Sequence, residues 1–484
     1  MATASTSSLE LTAITDDARL KYWFEIKPKP PKPKAKSNPA GNKADTSSAQ
    51  GGDDEYEDDE ELEGINMIFY SDILPIKWYS LNPRKFETVP SETEMKFSIA
   101  SGFDYLCYSY TKINIPPLWV KDEYAGRYRF AWCYDLGYRI MPEATFIVDD
   151  VELDYLNVDA IIAYNEHFVD TNESYQRDVG NIPELVDWSS EHAGTTIQPP
   201  QPWFYGRRSE TAFPLFRMNS VATCHHKYQL DNHISHLLRM QEMVNGTWVD
   251  IHVDISVLSG YSNEGKIPQP ELWGTFGKID DKELAYNQCE RPVETAYIEN
   301  IVSIVSGNPK IYGAKDDIPL AYTAPVKAML WMAQNRSAAI YNNHGNYSSD
   351  SDNLMRGKCP IYLNTLRYGS KTPKFREMES LHFQGPLTRP HFPFQPKRPG
   401  LLGFAFCQMP SAIGIDVGVL LDKLAAHLEV TFRNPDNIST TSQLPSYRNQ
   451  VARASPEFVL MCHLLTLREI NIHWKRTPCV EIMV

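Results

Sequence analysis

The densest group of potential metal ligands in this sequence is Cys224-His225-His226, followed closely by His233 and His236. Zinc needs such side chains to converge tetrahedrally on one point. Neighbouring residues on a strand point to opposite faces, so His225 and His226 do not serve one ion. His233 and His236, three apart, share a face only where their run is helical, and satisfied or exposed histidines are the simpler reading. Asp149, Asp150, Glu152 and Asp154 form a carboxylate cluster, and carboxylate pairs cleave glycosidic bonds. The same stretch reads more naturally as a tight hairpin turn, Val148-Asp149-Asp150-Val151, between two strands. The run WFYGRR at 203–208 interleaves aromatic rings with guanidinium groups, as surfaces that stack on a base or a sugar do. As a single such stretch in an acidic chain it is expected to be an ordinary strand end. Nucleophile elbows, phosphate loops, HExxH and DxDxDG patterns are not found. No catalytic residue, no cofactor and no metal site are therefore expected.

The elements around these residues are short and turn-rich. The chain has 484 residues, beyond the ~250 to 300 at which one core stops growing, so two domains are expected. Aromatics at 12%, with 26 tyrosines, 34 prolines and 25 glycines, favour strands and turns over helix bundles. A formal charge of −14 gives the surface no general attraction for a phosphate backbone, and direct genome binding is not expected. The cysteines lie far apart, without a C-x-x-C pair, most of them in apolar strand-like runs where a free thiol behaves as a small hydrophobe. The first residues carry no basic-then-apolar leader pattern, so a reduced cytosolic product is expected and the five N-x-S/T triplets are read as chance.

Residues 27–36, KPKPPKPKAK, alternate Lys and Pro and form neither helix nor sheet. At 53–63, DDEYEDDEELE repels itself. Residues 1–63 are thus expected to be a disordered tail, with order beginning at INMIFYSDILPIKWYSL, 65–81. Strand-like runs follow at Met95–Ala100, Tyr105–Ile115, Arg127–Cys133, Ala144–Leu153, Cys224–Met240 and Trp248–Leu258, the last with apolar side chains on every second residue. The stretch 259–290 loses this alternation and is expected to be a connection. A second block runs through Tyr297–Ser306, Val326–Gln334, Leu401–Gln408, His427–Phe432 and Phe458–Trp474, with a long loop over 341–400. Asn157–Phe168 and Ile415–Ala426 are the best helix candidates. The fold class expected is all-β: two tandem antiparallel jelly-roll β-sandwiches, over 64–258 and 291–484, with few short helices.

Several stretches, in order, resemble the double jelly-roll major capsid proteins of nucleocytoplasmic large DNA viruses, of iridovirus, phycodnavirus and asfarvirus type. Arg127–Ile140 with Ala144–Asp154 is similar to that family's paired strands in the first roll. Pro202-Trp-Phe-Tyr-Gly-Arg-Arg through Pro214-Leu-Phe resembles its P-x-W-F-x-R segment, and Pro325-Val-Lys through Gln334 its P-V-K-x-x-L-W-x-x-Q strand. Gln384–Pro390, Pro399–Phe406 and Met409-Pro-Ser-Ala resemble the run that ends in Pro and Ser-Gly. Ser411-Ala412 and the GIDVGVLLDKL that follows depart from it, as in a divergent branch. The C-terminal run from Phe458 is similar to the last strand of the family.

The resemblance implies a structural protein that trimerises into pseudo-hexagonal capsomers and tiles an icosahedral shell, catalysing nothing. Its implied partners are further copies of itself, minor capsid proteins and an internal membrane reached through the tail, and its implied place is the virion, assembled in the host cytoplasm. The alternatives weighed against it are a carbohydrate-binding or carbohydrate-cleaving tandem β-sandwich and a minor capsid or penton-type protein of the same lineage.

Overall fold

In the strand Tyr105–Ile115, the side chains from Cys107 onward alternate: Ser109, Thr111, Ile113 and Ile115 are buried, whereas Tyr108, Tyr110, Lys112 and Asn114 lie outward. That period of two sets one face into a core, and the same logic builds most of the molecule. The computed structural model describes residues 78–483, apart from 91–93, 100–103, 209–210, 219–222, 262–264, 279–292, 351–353, 356, 370–372, 413–417, 434–455 and 475–478. The tail 1–63 and the aromatic entry up to residue 77 lie outside the described residues.

Four main sheets form, all antiparallel. The first orders Trp78–Lys85, Glu271–Lys278, Tyr105–Ile115 and Thr195–Ile197. The second orders Glu87–Pro90, Glu94–Ser98, Cys224–Gln229, Glu143–Val148 and Val151–Asn157. The third orders Val293–Val305, Phe458–His473, Val326–Asn335 and Leu402–Ala405, with Val480–Ile482 alongside the long central strand. The fourth orders Lys315–Pro319, Ala426–Phe432, Ile361–Tyr368 and Pro373–Glu379. Strands distant in sequence sit side by side, the crossing connectivity of a jelly roll. Among the described residues no strand up to Lys278 pairs with one from Val293 onward.

Two hairpins show how local chemistry sets register. At Asp149-Asp150 both residues are left-handed, φ 47° and 65°, so the expected turn joins Glu143–Val148 to Val151–Asn157. Asn245-Gly246, φ 51° and 79°, joins Leu238–Val244 to Thr247–Ile251. Two positive φ values match the twist of paired strands, and Asx-Gly and Asx-Asx sequences tolerate them.

The third sheet is the exception to one-sided burial. On Val326–Asn335, Ala328, Leu330 and Met332 join the first core, whereas Met329, Trp331 and Ala333 join the second. On Phe458–His473, Val459, Met461 and Leu465 face the first core and Phe458, Leu460, Cys462 and Leu464 the second. An antiparallel sheet commonly keeps one face in water; this one is a middle layer, which is why its strands are continuous apolar runs. The helix Val158–Phe168, capped by the Asn157 side chain on Ala160 N–H at 2.8 Å, lies against it and buries nearly every residue.

Several expectations need correction. The stretch 259–290 is not only a connection: Glu271–Lys278 is an interior strand of the first sheet, with Leu272, Gly274 and Phe276 inward. Gly274 breaks the apolar pattern because a Cβ there would lie 2.7 Å from the Phe86 ring. The excursion 341–400 contains Ile361–Tyr368 and Pro373–Glu379. The helix expected over 415–426 is, in its described part, a single 3-10 turn at Asp422–Leu424. Gly418 at φ 84° and Ala425 at φ 45° break it on either side. Cys224–Met240 is two strands separated by a bend and the short helix Ile234–Leu237. Of the Trp248–Leu258 run, the part up to Ile251 pairs with Leu238–Val244 and is half-buried throughout, inward-outward alternation is confined to Ile251–Ser256, and Leu258 pairs with Val120 in another sheet.

Candidate functional site: a charged seam between the two sandwiches

The helix Val158–Phe168, the strand Val151–Asn157 and the turn Phe204–Arg207 of the first sandwich press on the third sheet and on the loop 384–400 of the second. Ionised groups are buried along this contact. Glu299 accepts from Lys327 Nζ at 2.6 Å and from the Arg208 guanidinium at 3.0 Å, while Arg207 donates to the Glu299 carbonyl at 2.7 Å. Lys327 is fully buried and also donates to the Ala412 carbonyl. Arg207 stands 3.8 Å from Asp154, whose carboxylate accepts from Phe204 N–H at 3.0 Å and from Asn300 Nδ2 at 3.0 Å. Burial pushes the Asp154 carboxyl up to about 6 despite Arg207.

A second group lies at the other end of the seam. Arg398 donates twice to Asp135, at 2.7 and 2.8 Å, and stands 3.4 Å from Glu166. Asp159 accepts from Arg139 at 3.0 Å and from the Tyr347 hydroxyl at 2.6 Å. Burial alone would raise both aspartates, yet Arg398 beside Asp135 and Arg139 beside Asp159 outweigh it and hold both below the ordinary carboxylate range. Between the two groups, Asn157 Nδ2 donates to Ser303 Oγ at 2.6 Å, and Ser303 Oγ meets His463 Nδ1 at 2.8 Å. Asn342 Nδ2 donates to the Ser235 and Leu238 carbonyls, each at 2.7 Å. Buried charges left unpaired are costly, so these partners fix one relative placement of the two sandwiches.

The residues that drew attention in the sequence fall in different places. His226 points into the first core, 4.8 Å from the Phe146 ring, with Nε2 2.7 Å from the Tyr205 hydroxyl. His233 and His236 lie 5.5 Å apart, and His236 pairs with Asp231. No group of three or more His, Cys, Asp or Glu among the described residues is arranged to hold a metal. Asp149 acts as the turn residue, accepting from Thr223 N–H at 2.9 Å and Cys479 N–H at 2.8 Å. The WFYGRR run is not a strand end: it is a helical turn that buries Trp203, Phe204 and Tyr205 and sends both arginines across the seam. Glu299, Lys327, Asp135, Asp159 and Arg398 were not singled out from sequence. The available signal was a lone charge inside a continuous apolar run, as Lys327 in PVKAMLWMA and Glu299 in YIENIVSIV.

No family model matches the chain. It is 21% identical over 359 residues to the major capsid proteins of Simulium iridescent virus and Tipula iridescent virus, an alignment covering 67% of this chain and 73% and 74% of theirs. Among solved structures, the fold is similar to the quasi-atomic model of the PBCV-1 virus capsid, with a TM-score of 0.60 at 12% identity over 84% of this chain and 97% of that one. It is also similar to the Faustovirus major capsid protein, with a TM-score of 0.58 at 9% identity over 81% and 90% of the two chains. The chain has the double jelly-roll fold, and over two thirds of its length its sequence is similar to the major capsid proteins of iridescent viruses.

Proposed function

We propose that this chain is the building block of an icosahedral virus shell, acting by assembly and not by catalysis. The observation that carries the reading is the shared middle sheet: one sheet serves both cores, and a buried ionic seam ties two jelly rolls into a single two-lobed body. Such a body presents two similar lobes per chain, and three copies around an axis give a nearly six-fold outline able to tile a flat facet. Chains of this kind associate with themselves and reside in the virion. The tail 1–63, with its basic Lys/Pro block and acidic block, is assigned to contacts with minor capsid proteins or an internal membrane, and assembly is assigned to the host cytoplasm.

The test is the mass of the purified full chain by light scattering, followed by negative-stain imaging of the same fraction. A trimer of hexagonal outline is expected. A protein that stays monomeric at every concentration, with no ordered arrays, overturns the proposal.

A further inference from the structure

Two histidines are sealed into the seam with one ring nitrogen each left without a partner. His167, on the helix Val158–Phe168, has Nδ1 2.8 Å from the Ala163 carbonyl. A carbonyl only accepts, so Nδ1 carries the proton and Nε2 is a bare lone pair. That Nε2 has no hydrogen-bond partner and lies against Gly403 of the second sandwich, where a Cβ would come within 2.8 Å of it; the Phe392 ring packs at 5.1 Å. The nearby ionised groups, Glu166 on the same helix and Arg398 opposite, are engaged with each other. His463, on the middle-layer strand, meets Ser303 through Nδ1, and its Nε2 has no partner. The charged group that faces it is Asp159 of the first sandwich, already held by Arg139 and Tyr347; Glu299 and Lys327, on the flanking strands, hold one another.

We propose that the seam is an acid-opened joint: on acidification the two sandwiches part along it while each stays folded, and His167 and His463 are the side chains that respond. A proton added to His167 Nε2 in the closed form would place a charge against glycine backbone and a phenyl ring, whereas in the open form water receives it. Burial pushes both rings from the ordinary 6.5 down to about 4. At pH 5 each histidine then favours the open form by about 30-fold. Asp154, pushed up to about 6 by burial, holds its proton better when closed and opposes them by about tenfold. Asp135 and Asp159, held low, stay ionised and add nothing at that pH. Together these three groups bias the seam on the order of a hundredfold toward opening, and His344, which meets the His236 carbonyl across the seam and is pushed down to about 4 by burial, acts in the same direction. It belongs to the protomer and holds whether or not copies assemble.

Hydrogen–deuterium exchange of the full chain at pH 7.5 and 5.0, with labelling times scaled for intrinsic exchange, tests this. Peptides covering 158–168 and 384–400 are expected to lose about a hundredfold of protection at pH 5.0, while those covering 105–115 and 426–432 keep theirs. In the H167Q/H463Q variant, which cannot titrate at these positions, the differential loss is expected to fall to a few-fold, set by His344 and Asp154. Seam and core peptides losing protection together, no loss at all, or an unchanged loss in the folded variant each overturn the proposal. Should the variant not fold, the wild-type contrast between seam and core peptides decides.

Discussion

Substituting Lys327→Met tests whether the seam is held by its charges. The ammonium is fully buried, 2.6 Å from Glu299 Oε1, and a methionine fills its volume without its charge. Removing one partner of a buried ion pair costs about 3–5 kcal/mol, because the other charge stays out of water unpaired. Glu299 retains Arg208 at 3.0 Å, so the lower end, about 3 kcal/mol, is expected. In K327M/E299L both buried charges are gone, Arg208 is partly exposed and turns to solvent, and the pair of changes should cost less than the two single ones added. Guanidinium unfolding of the four proteins, followed by tryptophan fluorescence, supplies the cycle. A cost for K327M below about 1 kcal/mol, or strict additivity in the double variant, refutes the reasoning.

Trp331→Ala should cost about 3–5 kcal/mol by thermal or chemical unfolding: it empties a site in the second core against the Phe383 ring at 5.0 Å and leaves Asn364 without the indole donor at 2.9 Å. Gly400→Ala should abolish soluble expression, because its Cβ would stand 1.7 Å from the Tyr347 carbonyl oxygen; Gly126→Ala, at φ 75° with open space around it, should express normally and lose only about 1 kcal/mol. Asp154→Asn tests the sign of a buried carboxyl. With a folded value of about 6 against an ordinary 3.8, the stabilising contribution of Asp154 is present below the ordinary value and lost as pH rises through 6. The advantage of D154N in melting temperature over the wild type should therefore grow between pH 4 and pH 7, and a flat difference would contradict the assignment.

Which features are legible in the sequence follows the range of the forces involved. Alternation in Tyr105–Ile115 and the unbroken apolar runs of Val326–Gln334 and Phe458–Trp474 are local patterns, and each became a strand close to its expected bounds. The Asp149-Asp150 turn and the Asn157-capped helix were readable because the chemistry of turns and caps acts over three or four residues. Glu271–Lys278 escaped because its pattern is interrupted by Gly274, whose role is to admit a ring from Phe86, 188 positions earlier.

The sequence by itself determined an all-β chain, the inward-outward alternation along its strands and, through the order of its motifs, its resemblance to capsid proteins. Only the tertiary structure decided that one sheet would serve two cores and that Lys327, Glu299, Asp135, Asp159 and Arg398 would meet along one seam. The reason is physical: a strand's own periodicity says which side chains share a face but not what that face meets. A buried charge in an apolar run announces that a partner must exist, and the partner is named only when segments as distant as Asp135 and Arg398 are brought within 2.7 Å.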